Sequence, residues 1–127
     1  RWIGIESSRE AVEIASNGKE PNTLAFLGLV EDRLNDPKVR SEIGSDYSLY
    51  LNPPRPGLGE RGRSVVSKLV RDRPPKAIVY LSCSASSLAR DLVCLESVGA
   101  KVESLRPYDF FPQTEHFEIL AILSVRS

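Results

Sequence analysis

The sequence predicts an α/β fold built on a mostly parallel sheet with one antiparallel strand at its C-terminal end. Short apolar runs alternate with segments of helical periodicity, which is typical of parallel α/β sheets. The last two runs, Val102–Leu105 and Ile119–Val125, break this alternation because a long loop over residues 107–118 joins them without a helical pattern. Such a loop favours an antiparallel pair over another helical crossover.

The first strand is predicted at Trp2–Ile5, a short apolar run that ends at Glu6. Ser7 and Ser8 follow it and offer a hydroxyl cap for the first helix, whose apolar residues recur on one face. The helix closes at Asn17-Gly18, because these residue types adopt the backbone conformations that end helices.

The middle of the chain adds two strands around a weak helical region. Thr23–Leu27 predicts the second strand, and a helix or loop over residues 31–34 follows until Pro37 interrupts the pattern. Tyr47–Leu51 predicts the third strand, which runs directly into two prolines after Asn52. Proline cannot donate to a sheet ladder, so Asn52 is expected at the carboxyl end of this strand.

Two longer helices flank the most apolar strand. Residues 61–70 predict a helix that a proline pair stops, and Ala77–Leu81 predicts the strand that follows. Ser84 or Ser86 then caps a helix whose apolar residues recur at three- and four-residue spacing until Gly99. We find no internal repeat that would favour a different architecture.

The order of these elements predicts a ligand site at one edge of a single sheet. Open α/β sheets bind ligands beyond the carboxyl ends of their strands. Glu6, Asn52 and Cys83 each follow a predicted strand and are expected to meet at that edge. Glu6 could accept hydrogen bonds from ribose hydroxyls, or it could be a helix N-terminal charge that complements the dipole.

Composition predicts one ordered domain without a bulk preference for polyanions. The 127 residues suit a single domain, and 41% hydrophobic with 27% charged residues is typical of globular proteins. Lysine plus arginine and aspartate plus glutamate both number 17, so any contact with nucleic acid must be local. The basic residues over 55–73 form either such a patch or the solvated face of a helix.

Neither a membrane segment nor a metal site is indicated. No apolar run approaches the roughly 20 residues that span a bilayer, and no signal segment opens the chain, so we expect an intracellular, cytoplasmic protein. The two cysteines, Cys83 and Cys94, show neither a disulfide framework nor metal-ligand spacing.

Three side chains are candidates for chemistry. Cys83 follows a strand and precedes a helix start, where a thiol is either an activated nucleophile or a small buried hydrophobe. Glu118 lies at a loop-to-strand junction, where it could accept a proton or could simply face solvent. His116 is the one histidine of the chain and could act as an acid or base, or as a structural hydrogen-bonding residue. Cys94 lies within a helix, which favours packing.

Taken in order, several segments resemble the RNA 5-methyluridine methyltransferase family, which uses S-adenosylmethionine. The resemblance is carried by Gly4-Ile5-Glu6, Asn52–Gly57, Val79–Cys83, Leu88–Leu92 and Asp109–Glu118. It implies a Rossmann-like class I methyltransferase fold and an enzyme that acts on tRNA or rRNA. The last three segments are its most specific part.

The resemblance also implies roles for individual residues. Cys83 matches the nucleophile that adds to C6 of the target uracil, and Glu118 matches the base that removes the C5 proton. Glu6 matches the acidic residue that holds the cofactor ribose. For Asn52 and Arg55, the resemblance implies contacts with the substrate. For Asn52, it also implies a contact with the cofactor.

The chain departs from the family in two places. Asn52 stands where the family usually has aspartate, so a carbonyl is kept and a charge is lost. The chain also starts at what looks like the second strand, so we expect a partial catalytic domain over residues 1–127 that lacks the first strand and the Gly-rich loop. Two alternatives stay open: a non-catalytic RNA-binding or scaffolding domain of the same fold, and an amino-methyltransferase that uses the Asn-Pro-Pro turn.

Overall fold

Helices and strands alternate along the chain, which confirms the predicted α/β class. The structure is a computed structural model that describes residues 1–18, 21–110, 112–114 and 116–126. The chain divides into two compact units, Arg1–Gly44 and Ser45–Ser127, each with its own sheet. That residues 1–127 form a single domain stays a prediction.

The Arg1–Gly44 unit is a two-stranded parallel sheet with three helices. Its elements are β1 (Trp2–Glu6), α1 (Arg9–Asn17), β2 (Thr23–Leu27), α2 (Val30–Arg33) and α3 (Pro37–Glu42). The ladder runs from the pair Trp2 and Thr23 to the pair Glu6 and Leu27. Ser8 caps α1 as predicted, because its Oγ accepts the Ala11 N–H at 3.3 Å.

The Ser45–Ser127 unit is a four-stranded sheet with two helices. Its elements are β3 (Leu49–Leu51), α4 (Gly59–Asp72), β4 (Ala77–Ser82), α5 (Ala85–Glu96), β5 (Ala100–Tyr108) and β6 (Glu118–Val125). The strand order is β3-β4-β6-β5, with β3 parallel to β4 and with β6 antiparallel to β4 and β5. Three strands therefore share one direction and β6 opposes them, as the sequence predicts.

One face of the four-stranded sheet carries most of its core. Along β4, Ile78 and Tyr80 are fully buried, whereas the alternate residues Ala77 and Val79 are half-buried. The Tyr80 hydroxyl donates to Asp91 of α5, so the buried face is the one that α5 covers. Helix α4 and helix α5 contribute buried side chains on the apolar stripe that the sequence predicts: Val66, Leu69, Val70, Leu88, Leu92 and Leu95.

The main difference from prediction is that the described strands form two sheets and not one. β1 pairs with β2, whereas β3 pairs with β4. Glu6 therefore ends a strand of the two-stranded sheet, and it does not share a sheet edge with Asn52 and Cys83 as predicted. The identity of a strand is a local property, but its partner depends on residues far along the chain.

Smaller differences have local causes. Pro37 begins α3 and does not only interrupt a helix, since the first helical position needs no N–H donor, and Asp36 caps it by accepting the Lys38 N–H at 2.9 Å. β3 starts later than predicted, at Leu49, although the Tyr47 carbonyl still accepts the Lys76 N–H at 2.8 Å. In the described part of the chain, no helix is both long and apolar enough to cross a membrane.

Candidate active site

The strand register brings three predicted site residues to one edge of the four-stranded sheet. β3 and β4 run in parallel and end at Leu51 and Ser82, so Asn52 and Cys83 follow neighbouring carboxyl ends. β6 is antiparallel to them and begins at Glu118, so its first residue lies at the same edge. The predicted clustering of Asn52 and Cys83 is thus found within this unit, and Glu118 joins them.

Cys83 and Glu118 both flank the end of the β4–β6 ladder. The last pair of that ladder joins Ser82 to Ile119. Cys83 directly follows Ser82, and Glu118 directly precedes Ile119. On its other side, Glu118 pairs with Tyr108 of β5.

The backbone around Cys83 is held by serine side chains. The Ser82 hydroxyl donates to the Ser84 carbonyl at 2.9 Å and accepts the Ser84 N–H at 3.1 Å. Ser84 is the N-cap of α5, where its Oγ accepts the Ser87 N–H at 3.4 Å. Cys83 is exposed, so it is not the small buried hydrophobe that was the alternative to a nucleophile. Cys94 is half-buried.

The Asn52–Gly57 turn rests on α5. The Gly57 N–H donates to the Pro54 carbonyl at 2.8 Å and closes the turn. The Ser87 hydroxyl donates to the Arg55 carbonyl, also at 2.8 Å. The side chains of Asn52 and Arg55 are exposed, so a partner could reach them.

Asp91 is a buried carboxylate that sequence reasoning missed. Its side chain is 1% exposed, and Oδ2 accepts the Leu58 N–H at 2.8 Å and the Tyr80 hydroxyl. Oδ1 accepts from Arg63 Nη1 at 3.3 Å, so the charge is paired. Burial, reinforced by the hydrogen bond to Asp91, raises the pKa of Tyr80 well above its ordinary value, so the hydroxyl keeps its proton and stays a donor.

The same carboxylate explains the glycine of the turn. Gly57 has a φ of +81°, and a Cβ built there would lie 2.5 Å from Asp91 Oδ2. Neither the backbone conformation nor the space therefore suits another residue. A sequence signal for Asp91 did exist, because it lies three residues after Leu88 and four before Leu95, on the apolar stripe of α5.

Glu6 is exposed at the end of β1. Its Oε1 accepts the Ser8 N–H at 2.8 Å and faces the Ser7 hydroxyl at 3.4 Å, beside the start of α1. This contact fits the helix-terminal alternative that the sequence left open. A carboxylate has about four acceptor positions on two oxygens, so ribose hydroxyls could bind as well. The ribose-binding role of Glu6 stays a prediction.

The approach to Glu118 is rich in exposed aromatic side chains. Tyr108 and Phe110 stack with ring centroids 5.9 Å apart and an interplanar angle of 9°. His116 is exposed, and its backbone N–H donates to Thr114 Oγ1 at 3.3 Å. Phe111 and Glu115, which belong to the predicted motif, lie outside the described residues. Within the residues described, no group of three or more His, Cys, Asp or Glu side chains could hold a metal ion.

Part of the basic cluster over residues 55–73 is engaged in ion pairs. Arg63 binds Asp91 in the interior, and Lys68 pairs with Asp72 one helical turn further along α4. Arg55 is exposed in the turn. The cluster is therefore not wholly a solvated helix face, which was one of the two interpretations of this segment.

Comparison with known proteins identifies the family. A model of the tRNA (uracil-5-)-methyltransferase family matches residues 29–126, which is most of the chain. The chain belongs to this family. The match includes Asn52, Cys83 and Glu118, and it confirms the resemblance that the sequence motifs indicated.

Individual members of the family cover the chain almost completely. A 23S rRNA (uracil(747)-C(5))-methyltransferase of Shewanella halifaxensis is 42% identical over 126 residues, which are 94% of this chain and 30% of that protein. A Bacillus cereus protein named as an uncharacterized RNA methyltransferase is 34% identical over 123 residues, 95% of this chain and 26% of its own length. The chain thus spans about a third or less of these relatives.

Solved structures show the same family fold. The crystal structure of a Pyrococcus abyssi tRNA (uracil-54, C5)-methyltransferase, in complex with S-adenosyl-L-homocysteine, matches with a TM-score of 0.67 and 26% identity. The match covers 95% of this chain and 28% of that one. A Methanococcus jannaschii fibrillarin pre-rRNA processing protein matches with a TM-score of 0.59 at 16% identity, which shows the fold alone. The predicted Rossmann-like methyltransferase architecture is confirmed.

Proposed function

We propose that the full-length protein is an RNA (uracil-5-)-methyltransferase that transfers a methyl group from S-adenosylmethionine to C5 of a uridine in tRNA or rRNA. The observation that carries this proposal is the end of the β4–β6 ladder at the pair Ser82 and Ile119, which leaves Cys83 and Glu118 on either side of that pair at the carboxyl edge of the sheet. Relatives of this chain are named for the same reaction on 23S rRNA and on tRNA, which supports the substrate class.

Cys83 and Glu118 have complementary tasks in this reaction. C5 of uracil is a poor nucleophile until another group adds at C6. The Cys83 thiolate forms a bond to C6, and the C5–C6 π electrons move to C5 as an enolate stabilised by the C4 carbonyl. C5 then takes up the methyl group and still carries its proton. Glu118 removes that proton, the electron pair restores the C5–C6 double bond, and the Cys83–C6 bond breaks to release the thiolate.

Several exposed residues of the chain fit the binding of substrate and cofactor. Bound S-adenosylmethionine would supply the methyl group as an electrophile on a positively charged sulfur, whose bond to the methyl carbon would break to leave a neutral thioether. Glu6 offers free acceptor positions for ribose hydroxyls beside its contact with Ser8. Asn52 would present its amide to the base or the cofactor, and Arg55 would contact an RNA phosphate. The aromatic stack of Tyr108 and Phe110 supports RNA binding, since exposed rings are platforms for unpaired bases.

The proposed nucleophile is tested by trapping. Full-length protein is incubated with S-adenosylmethionine and RNA that contains 5-fluorouridine, whose C5 fluorine cannot leave as a proton would. We expect a covalent protein–RNA adduct that denaturing electrophoresis resolves and that peptide mass spectrometry maps to Cys83. Cys83→Ala should abolish the adduct and lower turnover on natural RNA by at least about 10³-fold.

Two matched variants sharpen this test. Cys94→Ala makes the same chemical change in the same chain and should leave adduct and turnover unchanged. Glu118→Gln should accumulate a methylated adduct on ordinary uridine RNA, because the C5 proton stays in place, whereas Glu96→Gln at the far end of α5 should not.

Other outcomes would favour the alternatives. An adduct in Cys83→Ala would overturn the role of Cys83, because another group would then be the nucleophile. Methyl transfer that survives this change without an adduct would point to an amino-methyltransferase. If the wild-type protein binds RNA but transfers no labelled methyl group, the non-catalytic RNA-binding alternative would replace the proposal.

A further inference from the structure

Three residues on one face of α5 fix two separate parts of the candidate site. Ser84 is the N-cap that directly follows Cys83. Ser87, one turn later, donates to the Arg55 carbonyl, and Asp91, a further turn along, accepts the Leu58 N–H. The spacing of three and four residues keeps all three on the same side of the helix.

We propose that Ser87 and Asp91 are positioning residues that set the Asn52–Gly57 turn at a fixed place relative to Cys83. The inference rests on the proposed function and adds a role to residues that do not touch the substrate. Their two hydrogen bonds bracket the turn, one at the carbonyl of Arg55 and one at the N–H of Leu58. Because both bonds come from one helix, the turn cannot shift without breaking one of them.

The burial of Asp91 suits this task. Its side chain is 1% exposed and is also held by the Tyr80 hydroxyl and by Arg63 of α4. A charged acceptor forms stronger hydrogen bonds than a neutral one, and here its charge is compensated by the guanidinium. The carboxylate is therefore held in one place by hydrogen bonds from β4, α4 and the end of the turn.

The expected effect on the reaction follows from geometry. Asn52 and Arg55 lie on the turn, whereas Cys83 is placed by β4, Ser82 and Ser84. Loosening the turn should therefore misplace the base without changing the thiol itself. Misplacement by about 1 Å can cost about 10²-fold in rate.

The closing experiment compares Ser87→Ala with Ser97→Ala in the full-length protein. Ser97 is the matched control, because its Oγ donates to a backbone carbonyl, that of Cys94, at 2.7 Å near the other end of α5. Single-turnover adduct formation on 5-fluorouridine RNA is measured at saturating cofactor. We expect Ser87→Ala to slow it by about 10-fold or more and Ser97→Ala by less than about 2-fold.

A second readout separates positioning from general damage. The rate at which iodoacetamide alkylates Cys83, followed by mass spectrometry of its peptide, should stay within about 2-fold of wild type in Ser87→Ala. An unchanged adduct rate in Ser87→Ala would overturn the proposal. So would a parallel fall in alkylation, since the thiol itself would then have been disturbed.

Asp91 is tested by graded substitution. Asp91→Asn keeps a carbonyl that can accept the Leu58 N–H, so it should retain more adduct formation than Asp91→Ala. If both variants are folded by circular dichroism and equally active, Asp91 has no positioning role. If Asp91→Ala does not fold, Ser87→Ala and Asp91→Asn carry the test.

Hydrogen exchange keeps this inference separate from the proposed function. The Leu58 amide should exchange at least about 10-fold faster in Ser87→Ala than in Ser97→Ala, whether or not the protein is active. If the wild-type protein forms no adduct, the proposed function fails, while amide exchange still reports whether α5 holds the turn. Unchanged exchange at Leu58 would overturn the inference by itself.

Discussion

The two units of the chain differ in how much they bury. In Arg1–Gly44, the buried hydrophobic residues that the structure describes are Leu34 and Val39, and α1 has no buried residue. In Ser45–Ser127, two helices and alternate positions of β4 fill a continuous core. A two-stranded sheet is marginal by itself, whereas four strands with helices on one face can stabilise themselves.

This difference separates the predicted site residues into two classes. Cys83, Glu118 and Asn52 lie in Ser45–Ser127, the unit that is stabilised by its own core. Glu6 lies on the unit with little burial, where its carboxylate contacts the start of α1. The proposed chemistry of the cysteine and the glutamate therefore depends on the better-packed part of the chain, and the proposed cofactor contact of Glu6 depends on the less packed part.

The largest expected effect tests this comparison directly. Leu69→Ala in α4 removes a side chain that is 1% exposed and should lower the free energy of unfolding by about 2–5 kcal/mol, because a cavity replaces packed atoms. Leu29→Ala is the matched change in the first unit, where the side chain is 47% exposed, and should cost less than about 0.5 kcal/mol. Urea denaturation followed by circular dichroism measures both values. Equal losses would show that burial does not distinguish the two regions.

Local structure was largely predictable from the sequence, because helix caps and apolar periodicity are local signals. The strand at Trp2–Glu6, the Ser8 cap and the α5 stripe all follow from residues within a few positions of one another. The roles of Cys83 and Glu118 were implied by the family resemblance, and the end of the β4–β6 ladder at Ser82 and Ile119 then brings both residues to one sheet edge. The sequence position of either residue alone was compatible with a functional and with a structural role.

What could not be predicted depends on contacts between distant parts of the chain. Asp91 lies on the apolar stripe of α5, but the partners that satisfy it, Leu58 and Arg63, lie 33 and 28 residues away and could not be identified from its neighbours in the helix. The separation into two sheets has a similar origin. β1 and β2 resemble the other parallel strands locally, and only their pairing shows that Glu6 and Asn52 follow strands of different sheets.

Replacing a glycine by alanine should have a smaller effect on stability. Comparing one such change in each unit tests how rigidly the surrounding side chains are held. Gly57→Ala puts a Cβ 2.5 Å from Asp91, which is held by three donors, whereas Gly28→Ala meets Arg33 Nε at 2.8 Å on a side chain that is 40% exposed. Both residues have positive φ, so both changes cost about 1–3 kcal/mol in backbone strain. Gly57→Ala should cost about 1–3 kcal/mol more, because its neighbour cannot move without leaving a buried carboxylate unsatisfied.

Gly59→Ala is the control for backbone strain alone. Its φ is +69°, and a Cβ there would meet nothing within 4 Å. Chemical denaturation of the three variants separates the cost of backbone strain from the cost of the contact with the new Cβ. If Gly57→Ala and Gly59→Ala lose the same stability, then Asp91 does not restrain the turn as rigidly as its contacts indicate.

The smallest expected effect concerns Glu103 at the exposed side of β5. The Ser124 hydroxyl, which donates to Glu103 Oε1 at 2.7 Å, lowers the pKa of Glu103, and the nearby Lys101 lowers it further. Because the pKa is lower in the folded chain, this contact stabilises the β5–β6 pair above the unfolded pKa and is lost as the pH falls through the folded one. Ser124→Ala should therefore raise the pKa of Glu103 more than Lys101→Ala does, which carboxyl ¹³C titration by NMR measures. The reverse order would mean that the ion pair, and not the hydrogen bond, holds the carboxylate.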